Sequence, residues 1–143
     1  MVKFGRQRRR QQDRHVVNSA VNRCYEIPAE ASYDESSLSL GMYDIKSRVR
    51  RYEHKIVGFS IMLLDAGNGF DDPQCIYRID VAEGNIHEHV CVPGDNTGVK
   101  TVLENIPYGI EGQKFVNERY HGYQGMVMDK AQTQYDRWCE YEQ

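Results

Sequence analysis

The chain has 143 residues, 40% of them hydrophobic and 27% charged, and a formal net charge of −3. This length predicts one domain with a hydrophobic core, and the composition argues against wholesale disorder. The longest apolar run, over residues 56–64, is too short to cross a bilayer, and the N-terminus lacks the apolar stretch of a secretory signal. We therefore expect a cytoplasmic protein outside the membrane, with its four scattered cysteines reduced.

The predicted N-terminal segment is strongly basic. Residues 1–14 contain six basic residues and one acid, Asp13, so this arm carries a net charge of +5 and the remainder of the chain carries −8. A basic arm on an acidic body is typical of contact with a polyanion or an acidic partner, although a solvated tail has the same composition. The residues that we expect to bind nucleic acid are Arg6, Arg8, Arg9, Arg10 and Arg14.

A helix and a linker are predicted after the arm. Apolar residues at helical spacing indicate an amphipathic helix over roughly residues 11–25, which ends before Pro28. Residues 29–42 are rich in Ser, Gly, Asp and Glu and have no clear period, which predicts a loop or linker. We therefore divide the chain into an arm, short helix and linker over residues 1–42 and a single α+β domain over residues 43–143.

The domain begins with β-prone stretches that turn residues separate. Asn68-Gly69, between the first two stretches, is the strongest short hairpin signal, and "AEGN" at residues 82–85 predicts the next turn. The predicted strands cover residues 51–65, 74–81, 86–92 and 99–106.

A long C-terminal helix is the clearest element. From Lys114 onward, apolar residues step by three or four and trace one stripe that we expect to pack on the sheet. The stripe consists of Val116, Tyr120, Tyr123, Val127, Ala131, Tyr135 and Trp138. The predicted fold class is α+β: an antiparallel β-meander packed against a long C-terminal helix, with a basic N-terminal arm and helix.

Titratable residues concentrate in the segment "YRIDVAEGNIHEHV", residues 77–90. The strand period of two puts Arg78 and Asp80 on one face of their strand, and His87 and His89 on one face of the next. It also groups Cys75 with Tyr77. The length of the loop does not fix the register, so the sequence leaves open whether the two pairs share a face.

Three interpretations are open if these pairs share a face. Metal-independent RNA cleavage needs an acid–base pair, which two histidines supply, and a cation for the phosphate, which Arg78 supplies; Tyr77 or Asp80 would orient a histidine. A metal site would use both histidines with Asp80 or Glu88 as a third ligand. The third interpretation is an ordinary polar hairpin face without chemistry.

The same segment resembles the central motif of the TumE family, small prokaryotic proteins described as toxins of toxin–antitoxin systems. The matching positions are Tyr77, Arg78, Asp80, Ala82, Gly84, His87 and His89. The resemblance implies a cytoplasmic toxin that acts on RNA and has a cognate antitoxin protein as its partner.

We therefore hypothesise a toxin-like endoribonuclease that needs no metal and no cofactor. The expected catalytic residues are Arg78, Asp80, His87 and His89, with the arm adding attraction for RNA. Two alternatives stay open: a non-enzymatic accessory protein that binds RNA or a ribonucleoprotein, and a subunit of a larger assembly, including a homo-oligomer. Because the sequence has no glycine-rich phosphate loop and no nucleophile elbow, nucleotide hydrolysis and acyl transfer have no support.

Overall fold

The structure, a computed structural model, describes residues 23–66 and 73–142. Its six strands pair in chain order, and every neighbouring pair is antiparallel, so the sheet is a simple meander. One long helix, α1, packs against this sheet and a short 3-10 turn follows it. The elements are β1 Ser32–Ser39, β2 Tyr43–Tyr52, β3 Lys55–Asp65, β4 Cys75–Ala82, β5 Asn85–Val92, β6 Asp95–Asn105, α1 Ile110–Cys139 and the 3-10 turn Glu140–Glu142. The predicted α+β fold is confirmed.

The first two strands differ from the prediction. Residues 32–39 form β1, where we expected a loop. No sequence pattern indicated a strand because all eight residues are exposed and carry no apolar period. Pairing with β2 alone defines this strand. The predicted strand over residues 51–65 is interrupted by a two-residue turn at Glu53 and His54, whose φ angles are 50° and 66°. Positive φ at both central residues is the geometry of a tight hairpin turn, which neither residue type signals in the sequence.

Other predictions for the N-terminal part remain untested. The arm and most of the predicted helix over residues 11–25 lie outside the described residues, and residues 23–28 form no regular element. The division into residues 1–42 and 43–143 also stays a prediction.

The hydrophobic core lies between α1 and the sheet. The predicted stripe faces it: Val116, Val127 and Trp138 are fully buried, and the Tyr120 ring packs edge-on against Phe59 at 5.4 Å between centroids. The Trp138 indole N–H donates to Asp65 Oδ2 at 3.0 Å, which fixes the end of α1 against β3. No helix in the described part of the chain is long and apolar enough to cross a membrane.

The sheet has two distinct faces, which we call the helix face and the open face. Alternate residues of β3, such as Phe59, point to α1, and Tyr77 on β4 lies under Lys130 of α1. The open face is the opposite side, on which no helix among the described residues packs. A bulge between β3 and β4 shifts the alternation at Cys75, which therefore lines a pocket with Arg78 on the open face. The predicted grouping of Cys75 with Tyr77 is wrong for this reason.

Candidate functional site

The register of the β4–β5 hairpin brings the four predicted catalytic residues together. Arg78 lies directly opposite His89, and Asp80 lies directly opposite His87. The turn between the strands is Glu83-Gly84, with φ angles of 57° and 78°, as the "AEGN" signal predicts. Glu88, between the two histidines, pairs with Lys130 of α1, so its neighbours point to the open face.

Asp80 is the centre of this cluster. Its Oδ2 accepts a hydrogen bond from Arg78 Nε at 2.9 Å, and it lies 3.6 Å from His89 Nε2 and 3.8 Å from His87 Nε2. Its Oδ1 accepts a hydrogen bond from Ser60 Oγ at 2.6 Å. Both carboxylate oxygens are therefore held, and the orientation of the carboxylate is fixed by three strands.

The Nδ1 atoms of both imidazoles also have hydrogen-bond partners. His89 Nδ1 lies 2.7 Å from the Thr97 carbonyl oxygen, and because a carbonyl only accepts, Nδ1 carries the hydrogen. His87 Nδ1 lies 2.8 Å from Asn85 Oδ1, which favours the same tautomer. When neutral, each histidine then presents an Nε2 lone pair to Asp80. The contact between these acceptors becomes attractive when a proton or another cation lies between them.

Burial changes the protonation chemistry of the cluster. His87 and His89 are only 3% and 6% exposed. Desolvation, followed by the charge of Lys100, lowers the pKa of His87 below its usual value. At neutral pH His87 is therefore neutral, and its Nε2 can accept a proton.

A cationic pocket of about 360 Å³ lies beside the cluster on the open face. Lys46, Arg48 and Arg78 line it, and none of the lining residues within the described part of the chain is acidic. Glu35, at its margin, pairs with Lys46 at 3.2 Å and with Arg48 at 3.1 Å. Arg78 contacts Asp80 and also lines the pocket, so it connects the cluster with the pocket.

Sequence reasoning missed the residues that support the cluster. Asn85 had a signal, since it lies two residues before His87 and therefore on the same face of β5. No sequence signal indicated Ser60, Lys46 and Arg48. Their positions depend on the register of β2, β3 and β4, which includes bulges.

Two predicted roles do not agree with the structure. Tyr77, considered as an orienting group, lies on the helix face and donates from its hydroxyl to Glu88 Oε2 at 2.5 Å. Glu88, considered as a metal ligand, lies on that face too, so Asp80 is the acid beside the histidines. The arginines predicted to bind nucleic acid, Arg6, Arg8, Arg9, Arg10 and Arg14, lie outside the described residues.

Comparison with known proteins gave no match to any family model, any curated protein or any solved structure. The resemblance of residues 77–89 to the TumE motif therefore stays a prediction, and the functional argument rests on the cluster itself.

Proposed function

We propose that the protein is a toxin-like endoribonuclease that cleaves RNA on the open face of its sheet without a metal ion. The observation that carries this proposal is the shared face of Arg78, Asp80, His87 and His89, with both Nε2 atoms turned to one carboxylate. Such a set contains two imidazoles, which can accept and donate a proton, and a cation that matches a phosphate.

The proposed reaction begins at His87. As a neutral base, its Nε2 takes the proton of a ribose 2′-hydroxyl, and the 2′-oxygen attacks the adjacent phosphorus. His89, protonated at Nε2, gives its proton to the departing 5′-oxygen. The products are a 2′,3′-cyclic phosphate and a free 5′-hydroxyl, so protons and bonds balance.

Asp80 and Arg78 are proposed to stabilise the charges on His89 and on the phosphate. Asp80, 3.6 Å from His89 Nε2, stabilises the imidazolium before it gives up its proton. The Arg78 Nε and Nη1 atoms donate to Asp80 Oδ2 and to the Asn96 carbonyl, so Arg78 is proposed to reach a non-bridging phosphate oxygen through Nη2. Lys46 and Arg48 line the adjacent pocket, and we propose that they hold the next phosphate of the strand.

The biological setting is also part of the proposal. We propose a cytoplasmic toxin of a prokaryotic toxin–antitoxin system, with a cognate antitoxin protein as its partner. The resemblance to the TumE motif supports this setting, and the basic arm is proposed to add sequence-independent attraction for RNA.

The test is cleavage of a single-stranded RNA by the full chain in the presence of a chelator. We expect products with 2′,3′-cyclic phosphate ends and no cleavage of a DNA of the same sequence, which lacks the 2′-hydroxyl. The H87Q and H89Q variants should each lose about 10²- to 10⁴-fold in rate. H121Q, which changes an exposed histidine of α1, is the matched control and should cleave normally. Cleavage by an H87Q/H89Q double variant at the rate of the unmodified protein would contradict the assignment.

A second candidate function is RNA binding without cleavage, and the cationic pocket favours it because it lies beside the histidines and not among them. In that case the unmodified chain binds RNA but leaves it intact. Changing Lys46 and Arg48 to Gln should then weaken binding and flatten its salt dependence, whereas H87Q/H89Q should bind normally.

A further inference from the structure

We propose that Asp80, His87 and His89 form a binding site for one divalent transition-metal ion, of which Zn²⁺ is the best match. The three ligand atoms, one from each residue, lie within 4.8 Å of one another. Two imidazole nitrogens and one carboxylate oxygen are a donor set that suits Zn²⁺ and neighbouring first-row ions.

The hydrogen bonds behind the ligands are those that a metal site needs. Histidines that bind metals nearly always donate their second ring N–H to a carbonyl or carboxylate, which fixes the tautomer and the direction of the lone pair. His89 makes this bond to the Thr97 carbonyl at 2.7 Å, and His87 makes its equivalent to Asn85 Oδ1 at 2.8 Å. Buried imidazoles need such partners in any case, but here both partners accept from Nδ1, so both lone pairs lie on the Nε2 atoms that face Asp80.

The distances within the cluster leave room for an ion. Asp80 Oδ2 lies 3.6 Å and 3.8 Å from the two Nε2 atoms. Ligands that share a tetrahedral Zn²⁺ ion at 2.0–2.2 Å are about 3.4 Å apart. Asp80 Oδ2 is therefore close to this spacing from each Nε2, and the widest separation among the three ligand atoms, at most 4.8 Å, must contract by at most about 1.4 Å for the site to close.

Arg78 opposes the ion. Its Nε already binds Asp80 Oδ2 at 2.9 Å, and its positive charge, with that of Lys100, repels a second cation. An entering metal must share or take over this oxygen. The site therefore predicts an unusual response: removing the charge of Arg78 should strengthen metal binding.

Metal occupancy would also regulate the proposed ribonuclease. This part of the inference rests on the proposed function, because an ion on the Nε2 lone pairs removes the groups that would exchange protons with RNA. Metal binding itself does not depend on that activity, so the two proposals can fail separately.

The test uses the full chain, freed of metal by a chelator and then dialysed, and titrated with Co²⁺ while its visible absorption is recorded. We expect one ion per chain, with a spectrum of nitrogen and oxygen ligands that Zn²⁺ abolishes by displacement. R78Q should bind at least about tenfold more tightly, as expected when a nearby like charge is removed. H121Q should match the unmodified chain.

Two further variants keep the result unambiguous. D80N retains a similar shape and fold but is a poorer ligand, so it should bind Co²⁺ at least about tenfold more weakly. C75S/C91S removes the buried thiols near the pocket and should leave the spectrum unchanged. Equal Co²⁺ binding by the unmodified chain and H87Q/H89Q, or loss of the spectrum in C75S/C91S, would overturn the metal site. Failure of RNA cleavage in chelator, with Co²⁺ binding intact, would overturn only the ribonuclease.

Discussion

The same strands supply both faces of the sheet, but the two faces have different chemistry. On the helix face, Phe59 packs against Tyr120, and Ile61 and Leu63 are completely buried. On the open face, their neighbour Ser60 donates to Asp80 beside the two histidines. The period of two sends Phe59, Ile61 and Leu63 to the helix face and the cluster of Arg78, Asp80, His87 and His89 to the open face, although Glu88 lies on the helix face.

The helix face therefore stabilises the fold, and the open face carries the candidate site. Apolar burial under α1 supplies the main favourable term for the fold. The histidines of the open face are also buried, but Asn85 Oδ1 and the Thr97 carbonyl accept hydrogen bonds from their Nδ1 atoms, which limits the cost of desolvation. Substitutions on the helix face should therefore change stability, whereas substitutions on the open face should change RNA or metal binding.

The largest expected effect is on the helix face. W138A removes a fully buried indole and its hydrogen bond to Asp65, so the free energy of unfolding should fall by about 3–5 kcal/mol. R48A on the open face is the control for W138A. It should lower the free energy of unfolding by less than about 0.5 kcal/mol, since that side chain is half exposed. Urea unfolding followed by circular dichroism measures both. Equal losses would remove the distinction between the faces.

An intermediate effect is expected at Ser60, a positioning residue on the open face. S60A leaves Asp80 Oδ1 without its 2.6 Å hydrogen bond, so the carboxylate can turn away from the histidines. We expect RNA cleavage to fall about tenfold, comparable to the loss of one hydrogen bond to a charged group. S60T, which keeps the hydroxyl, should restore the rate. Failure of S60T to do so, with normal folding, would mean that the hydroxyl has no such role.

A smaller effect is expected at Tyr25, whose hydroxyl donates to the Val57 carbonyl at 2.5 Å within the helix-face core. Burial raises the pKa of Tyr25 from 10.0 to about 12. The unfolded chain then loses this proton first, so stability is complete below pH 10 and declines as the pH rises from 10 to 12. In Y25F the free energy of unfolding should be about 1 kcal/mol lower at neutral pH. Its decline between pH 10 and 12 should be smaller, because the group that titrates there is gone. Unfolding curves at several pH values test the sign, and an unchanged alkaline slope would contradict it.

The smallest expected effect is at Glu35, whose carboxylate has its pKa lowered to about 2 by the Tyr33 hydroxyl and by Lys46 and Arg48. E35Q frees those two cations for a phosphate. RNA affinity should rise by less than about fivefold, the size of one nearby charge in water. Asp34, on the same strand but the opposite face, gives the control D34N. A rise of equal size in D34N would indicate a general charge effect.

Much of this arrangement could be predicted from the sequence, and the failures have specific causes. The stripe of α1 and the "AEGN" turn are local patterns, and both were confirmed. β1 has no apolar face and therefore no detectable period. The meeting of Ser60 with Asp80 and the position of Cys75 depend on the β3–β4 bulge, which no local signal reveals. Whether Arg78 and Asp80 share a face with His87 and His89 depended only on the register of the β4–β5 hairpin. The sequence therefore left two possibilities, the same face or opposite faces.

The most direct test of the central claim, that the open face binds RNA, is an NMR map with an RNA whose 2′-hydroxyls are methylated and which cannot be cleaved. We predict that the signals that shift most are those of Arg78, His87 and His89, together with Lys46 and Arg48, while Val116 and Val127 of α1 stay unchanged. Shifts confined to α1, or no shifts at all on the open face at saturating RNA, would contradict the account.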